Sequence, residues 1–196
     1  MFRDFDLTFT EECSQYLKKI YPKHKVILEY GSGGSTLLAA ENGSLVITTE
    51  TDSKWLIELM GVFQEKKLAG TIIPILVDIG PTKAWGYPVD DREIKNWLGY
   101  SNSSWSYLNT HDLHPSLILI DGRFRVASFF SACANVRKTT TIIFDDYVER
   151  EYYHIVEKLF SPIQIIDNRM AVFKVKPNKV TASFILDNIN FFLDTR

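Results

Sequence analysis

Several short stretches of this 196-residue chain combine carboxylates, glycines and arginines at spacings that suit the binding of a ribose-bearing ligand. The first is Glu29-Tyr30-Gly31-Ser32-Gly33-Gly34-Ser35, directly after the apolar run Val26-Ile27-Leu28. Glycines there let the backbone pass close to a ligand without a side-chain clash, and the start of the following helix offers unpaired N–H donors. Glu50 ends the next apolar run, about 20 residues beyond the glycines, where a carboxylate can accept both hydroxyls of a ribose. Asp78 ends the third run. Asp121 follows Leu117-Ile118-Leu119-Ile120, and the pair Asp145-Asp146 follows Thr141-Ile142-Ile143-Phe144. Arg123 and Arg125 stand just after Asp121, where they either fork a carboxylate or phosphate of a substrate or form ion pairs at the sheet edge.

The elements that must hold these residues are read from periodicity. A helix is expected over about residues 9–20, from the capping-box spacing of Thr8 and Glu11 and from Cys13, Tyr16, Leu17 and Ile20 at helical intervals. A buried strand over 26–28, a helix from about Ser35 to Glu41, a strand over 45–49 and a helix carrying Trp55, Leu56, Leu59, Met60 and Phe63 follow. Pro74 within Ile72–Val77 favours the start or the edge of a sheet for the third strand. The fourth and fifth strands are each followed by a helix, the second of them running through Tyr152, Ile155, Val156 and Leu159. Alternation of strand and helix implies right-handed crossovers and a parallel sheet covered on both faces. All the acids named above then lie on one carboxyl edge, where open sheets bind ligands.

Two stretches break this rhythm. Residues 79 to about 113 contain Trp85, Tyr87, Trp97, Tyr100, Trp105 and Tyr107 among glycines and prolines, and read as an irregular aromatic insertion able to close over a substrate. Ile163–Ile166 and Met170–Val175 are separated by only Asp167-Asn168-Arg169, too short for a crossover, so they must form an antiparallel hairpin. Residues 178–196 look amphipathic, as a strand or a helix.

Composition is that of an ordinary folded chain, with 45% hydrophobic and 23% charged residues, and the length suits one domain over 1–196. A formal net charge of −2 without a long Lys/Arg run disfavours duplex nucleic acid as partner. No apolar stretch is long enough for a membrane span. Met1–Asp6 carries acids where an export signal needs a basic start, which points to a cytoplasmic protein. Cys13 and Cys133 read as buried positions on two helices, in keeping with a reducing compartment.

The parallel sheet finished by a hairpin, together with Glu29–Thr36, Asp78-Ile79-Gly80-Pro81-Thr82, Trp85-Gly86, Asp121–Arg125 and Phe144–Tyr147, resembles the class I S-adenosylmethionine (SAM) dependent methyltransferases. Within them the chain is similar to a small bacterial group of methyltransferase-like proteins. The resemblance covers roughly residues 8–176. The string Glu29–Thr36 also resembles the first motif of plant glucuronoxylan O-methyltransferases.

The resemblance implies a Rossmann-like, doubly wound, mostly parallel seven-stranded sheet with an antiparallel last strand. It implies SAM held by Gly31, Ser32, Gly33, Gly34 and Ser35, its cationic amino end on Glu29, its ribose on Glu50 and its adenine by Asp78, with Asp121 also at the cofactor. In catechol-type O-methyltransferases an Asp after strand four and a pair after strand five bind a magnesium-like ion, which here implies Asp121, Asp145 and Asp146 as ligands. Otherwise Asp145 or Asp146 caps a helix beginning near Glu149. Asp121, with Asp145 or Asp146, is expected to remove the acceptor's proton, and Arg123 to receive an anionic group of a small or sugar-like acceptor. Asp121-Gly122-Arg123 lacks the Asn/Asp-Pro-Pro of amino-methylating DNA enzymes, so base flipping is not expected. Two other readings stand beside this one: an NAD(P)-binding Rossmann domain, disfavoured by Thr36 in place of the third glycine, and a module that binds SAM or a nucleoside without turnover. His111 and His114 precede strand four and so belong to the opposite edge of the sheet.

Overall fold

The computed structural model describes residues 4–177 and 180–196. Its spine is a seven-stranded sheet in the order β3-β2-β1-β4-β5-β7-β6, formed by β1 (Val26–Tyr30), β2 (Leu45–Glu50), β3 (Thr71–Leu76), β4 (Leu117–Ile120), β5 (Thr140–Phe144), β6 (Gln164–Ile166) and β7 (Met170–Val175). The first five strands are mutually parallel, and β7 runs antiparallel to both β5 and β6. Rossmann-like doubly wound order and antiparallel last strand both match expectation. Pro74 lies inside β3, opposite Thr48, and β3 is an edge strand, where the missing N–H is harmless. In the hairpin Asp167 and Asn168 both have positive φ, the conformation a two-residue turn requires.

Alternation along the strands sorts side chains to two faces. Ile118, Ile120, Ile142, Phe144 and Phe173 meet Trp105, Leu108, Phe129 and Phe130 from α4 (Leu98–Thr110) and α5 (Arg125–Asn135). On the other face Leu117, Leu119, Ile143 and Val172 meet Cys13, Leu17 and Tyr21 around α1 (Glu11–Ile20), and Ala39 of α2 (Gly34–Glu41). A third cluster joins α2 to Leu56, Leu59 and Val62 of α3 (Ser53–Lys66). Both cysteines are buried and free, one on α1 and one on α5. Among the described residues no helix is long and apolar enough to cross a membrane.

Four local expectations need correction. The cap of α1 is Thr10, whose hydroxyl accepts from Cys13 N, rather than Thr8. Residues 79–113 are not an irregular insertion throughout, because α4 occupies 98–110. Trp97, Tyr100, Ser104, Trp105 and Leu108 are its buried stripe, at three- and four-residue spacings that mark a helix. The segment after β5 is a 3₁₀ helix (Glu151–Lys158), with Tyr153 and Val156 buried three residues apart, as i to i+3 stacking favours. It has no side-chain cap, so neither Asp145 nor Asp146 serves as one. Residues 178 and 179 lie outside the described residues, as do Met1 to Arg3 of the expected cytoplasmic N-terminus; from Thr181 on, the chain forms α6 (Ala182–Asp187) and a 3₁₀ turn, Ile189–Leu193.

Candidate functional site

Chain order along the sheet reverses at β1, whose neighbours are β2 on one side and β4 on the other. A crevice must open above that point, between the turns leaving β1 and β4. The two turns nearly touch. Gly31 N donates to Thr49 O at 2.9 Å, and Gly122 N donates to Tyr30 O at 2.7 Å. Gly31 has φ +95°, and a Cβ on it would lie 2.9 Å from Gly122 N. Two glycines are thus needed for one backbone crossing. Gly33 is extended, with space above it bounded by Trp55.

Above this crossing lies a cavity of about 820 Å³, bordered by Ser32, Gly33, Glu50, Trp55, Trp85 and Asp121 among others. That volume falls within the range of small-molecule and cofactor sites. Gly31, Gly34 and Ser35 also line it, as do Phe5 and Phe9 of the N-terminal segment. Glu50 organises one wall: Oε2 accepts from Ser32 N (3.2 Å) and Ser32 Oγ (2.9 Å), while Oε1 accepts from Thr51 N (2.7 Å) and Asp52 N (3.2 Å). Trp55, read from sequence only as a core position of α3, donates its indole N–H to Ser32 O at 2.8 Å and helps fix the turn. Asp52 aims it by capping α3, accepting from Lys54 N and Trp55 N.

Two expected cofactor residues stand away from this cavity. Glu29 is fully buried beneath the turn, where its carboxyl accepts from Tyr21 Oη at 2.8 Å and Thr36 Oγ1 at 2.5 Å. Burial raises its acidity constant to about 7, against the lowering effect of the Thr36, Tyr21 and Ser35 hydroxyls. Asp78 is exposed and caps its own turn, accepting from Gly80 N at 2.9 Å. Neither borders the cavity.

The strand-end aspartates do converge, together with three arginines. Arg169 grips Asp145 with Nε on Oδ1 (2.8 Å) and Nη2 on Oδ2 (2.7 Å), and reaches Asp146 Oδ1 at 3.1 Å. Arg150 Nη2 lies 2.8 Å from Asp146 Oδ2. Arg125 bonds Asp121 Oδ1 (3.3 Å), Asp146 Oδ2 (3.2 Å) and the carbonyls of Gly122, Asp121 and Asp145. Asp121 alone of the three acids borders the cavity, and its acidity constant is raised, foremost by burial and further by Asp145 and Asp146, with Arg125 opposing. The oxygens expected to bind magnesium therefore carry guanidinium groups, and among the described residues no group of three side chains is arranged to hold a metal. The donor set does not fit a hard cation. Sequence reasoning missed Arg150 and Arg169; the signal for Arg169 was its place after the two-residue turn, which returns it to the sheet edge.

Arg125 is thereby committed to the protein and has no hydrogen left for a substrate anion. Arg123 differs. It is 7% exposed, its Cζ stands 4.1 Å above the Tyr87 ring, and its Nε and Nη1 have no hydrogen-bond partner. Of the aromatic segment, Trp85 is open at 78% exposure and borders the cavity, whereas Trp97, Tyr100 and Trp105 are packed in the core. His111 stacks on Tyr107 beyond the end of α4, and His114 faces Asp112, both remote from the cavity as expected.

No protein-family model and no curated protein sequence matches the chain. Solved structures do. A methyltransferase-like protein from Silicibacter pomeroyi DSS-3 is 31% identical over 97% of this chain and 98% of its own, with a TM-score of 0.89. At fold level, the O-methyltransferase of tomaymycin synthesis from Streptomyces achromogenes, solved in complex with SAM, aligns at TM-score 0.58 and 14% identity over 87% of this chain and 82% of its own. An O-methyltransferase from Bacillus cereus in complex with S-adenosylhomocysteine (SAH) aligns at 0.55 and 16% over 88% and 82%. With that identity over nearly its whole length, on a sheet of this order, the chain belongs to the class I methyltransferase superfamily and, within it, to the family of the Silicibacter pomeroyi methyltransferase-like protein.

Proposed function

We propose that the protein binds SAM in the cavity over the Gly31–Gly122 crossing and transfers its methyl group to an oxygen of a small or sugar-like acceptor that bears an anionic group. The observation that carries the cofactor assignment is Glu50, a carboxylate beside the glycine turn with both oxygens turned to N–H and O–H donors at the cavity wall. Ribose hydroxyls are donors of the same kind and can replace Ser32 Oγ there. Gly31, Ser32, Gly33, Gly34 and Ser35 would take the methionyl part against backbone N–H groups. Glu29 acts from beneath, by holding Thr36 and hence the turn, and Asp78 has no part in this reading. A dinucleotide fits less well, because Thr36 replaces the third glycine and is committed to Glu29.

When bound, SAM supplies an electrophilic methyl on a sulfonium, so the protein's own task is alignment, exclusion of water and removal of one proton. Asp121 borders the cavity and is the group to take the acceptor's proton; Asp145 and Asp146 support it from behind. Arg123 receives the acceptor's anion, since a buried guanidinium with unused donors gains most from a planar carboxylate. Trp85 offers the acceptor a flat apolar face.

The test is calorimetric titration with SAH followed by a methyl-transfer screen over uronic acids, phenolic acids and neutral counterparts. Glu50→Ala should weaken SAH by roughly ten- to a hundredfold, the loss of charge-assisted bonds to ribose. Arg123→Lys should raise the acceptor KM while SAH affinity holds. Tighter binding of NAD than of SAH would overturn the cofactor assignment; a neutral acceptor, or an Arg123→Lys defect confined to SAH, would overturn the anionic one.

A further inference from the structure

The three aspartates at the ends of β4 and β5 form the seat a divalent cation would use, and the structure fills it otherwise. Three carboxylates this close repel one another, and burial removes the water that would screen them. Compensation must come from a cation. Of the six oxygens, five lie 2.7 to 3.3 Å from a guanidinium nitrogen; among the described residues only Asp121 Oδ2 has no arginine on it. Three arginines against three aspartates leave the cluster neutral. Asp145 is fully buried and Arg125 nearly so, so these charges are fixed parts of the fold rather than surface pairs.

We propose that Arg125, Arg150 and Arg169 take the place of the divalent cation, so that this methyltransferase works without one, and that Arg169 is the group that closes the seat to metal. Arg169 is the decisive member because it alone holds both oxygens of Asp145 and one of Asp146, three of the six. It comes from the hairpin turn, outside the strand ends that carry the acids, and is backed by the Phe9 ring 5.9 Å from its Cζ. A hard ion needs to surround itself with oxygen at about 2.0 to 2.6 Å, which it reaches here only by expelling this side chain against two further cations.

Removing Arg169 should therefore open the seat: three oxygens lose their donors and one negative charge is left unpaired. Manganese titration followed by electron paramagnetic resonance reads this without any acceptor. The wild-type chain should leave the free-ion signal undiminished, and its affinity for SAH should be the same in chelator as in magnesium. Arg169→Ala should take up about one manganese ion per chain, and Arg169→Lys, which keeps the charge, should take up none. Manganese uptake by the wild type, or a folded Arg169→Ala chain that takes up no manganese, would overturn the proposal. The wild-type manganese arm needs no variant and does not depend on SAH, so a failure of the cofactor assignment leaves it intact.

Discussion

Glu29 shows how much a residue type can say while its role stays hidden. An acid at the end of β1 before a glycine turn was legible as part of the site, and the expectation was contact with the ligand's amino end. Its carboxyl instead lies under the turn, bonded by Tyr21 and Thr36, because the pleat sends the side chain at position 29 to the face covered by α1 and α2 while the backbone at 31 faces the crevice. Burial raises its acidity constant from 4.5 to about 7. An acid whose constant is higher folded than unfolded contributes stability that is present below the unfolded value and lost as pH rises through the folded one. Between about 4.5 and about 7 the wild type should therefore lose on the order of 3 kcal/mol from this group. Glu29→Gln should keep the packing and abolish that slope, so urea denaturation of both chains at about pH 5 and about pH 8 checks it: the wild type should lose stability relative to the variant on going up. A constant difference across that range would show that Glu29 is ionised in the folded chain.

At the scale of elements, legibility followed periodicity and failed where two signals overlapped. Strands such as Leu117–Ile120 are continuous apolar runs that end in an acid, so their ends, and with them Glu50, Asp121 and Asp145, could be read directly. Helix α4 was obscured because Gly99, Ser101, Ser103 and Ser104 dilute its apolar stripe and the aromatic residues suggested a lid. Its tyrosine has a structural task instead: Tyr100 Oη accepts from Arg123 N at 3.2 Å and lies against the Gly122 Cα, wedging the β4 turn onto the β1 turn. A methyl group at Gly122 would meet that hydroxyl and stand 2.7 Å from Gly31 N. Gly122→Ala should cost about 1 to 3 kcal/mol in stability by overpacking. The larger effect should be on SAH, at least tenfold weaker in calorimetry, since the turn that carries Ser32 must move. Unchanged affinity would mean that the cofactor does not rest on this crossing.

At the scale of the whole molecule, the sheet order was predictable from alternation and the final hairpin, while the C-terminal segment was not, because its partners are distant in sequence. Residues 180–196 cross the outer face of α5. Phe184 and Phe191 stand edge-on to Phe130 at 5.1 and 6.0 Å, and Phe192 is 4% exposed in the same cluster. The backbone also closes the start of α5, where Phe124 N and Arg125 N donate to Thr195 O and Arg196 O. A helix that begins at the carboxylate–arginine cluster is thus covered by a segment the methyltransferase motifs do not include. Truncating a buried phenylalanine leaves a cavity as well as lost apolar contact, so Phe192→Ala should cost about 3 to 5 kcal/mol. For a chain of this size that corresponds to a fall in Tm of roughly 10 °C. The glycine turn and Glu50 lie across the sheet edge from this contact, so SAH affinity at 25 °C, where the variant is still folded, should change less than about twofold. A Tm within about 2 °C of the wild type would show that the segment merely rests on α5. A loss of SAH affinity as large as that of Glu50→Ala would show instead that it sets the geometry of the cluster at the start of that helix.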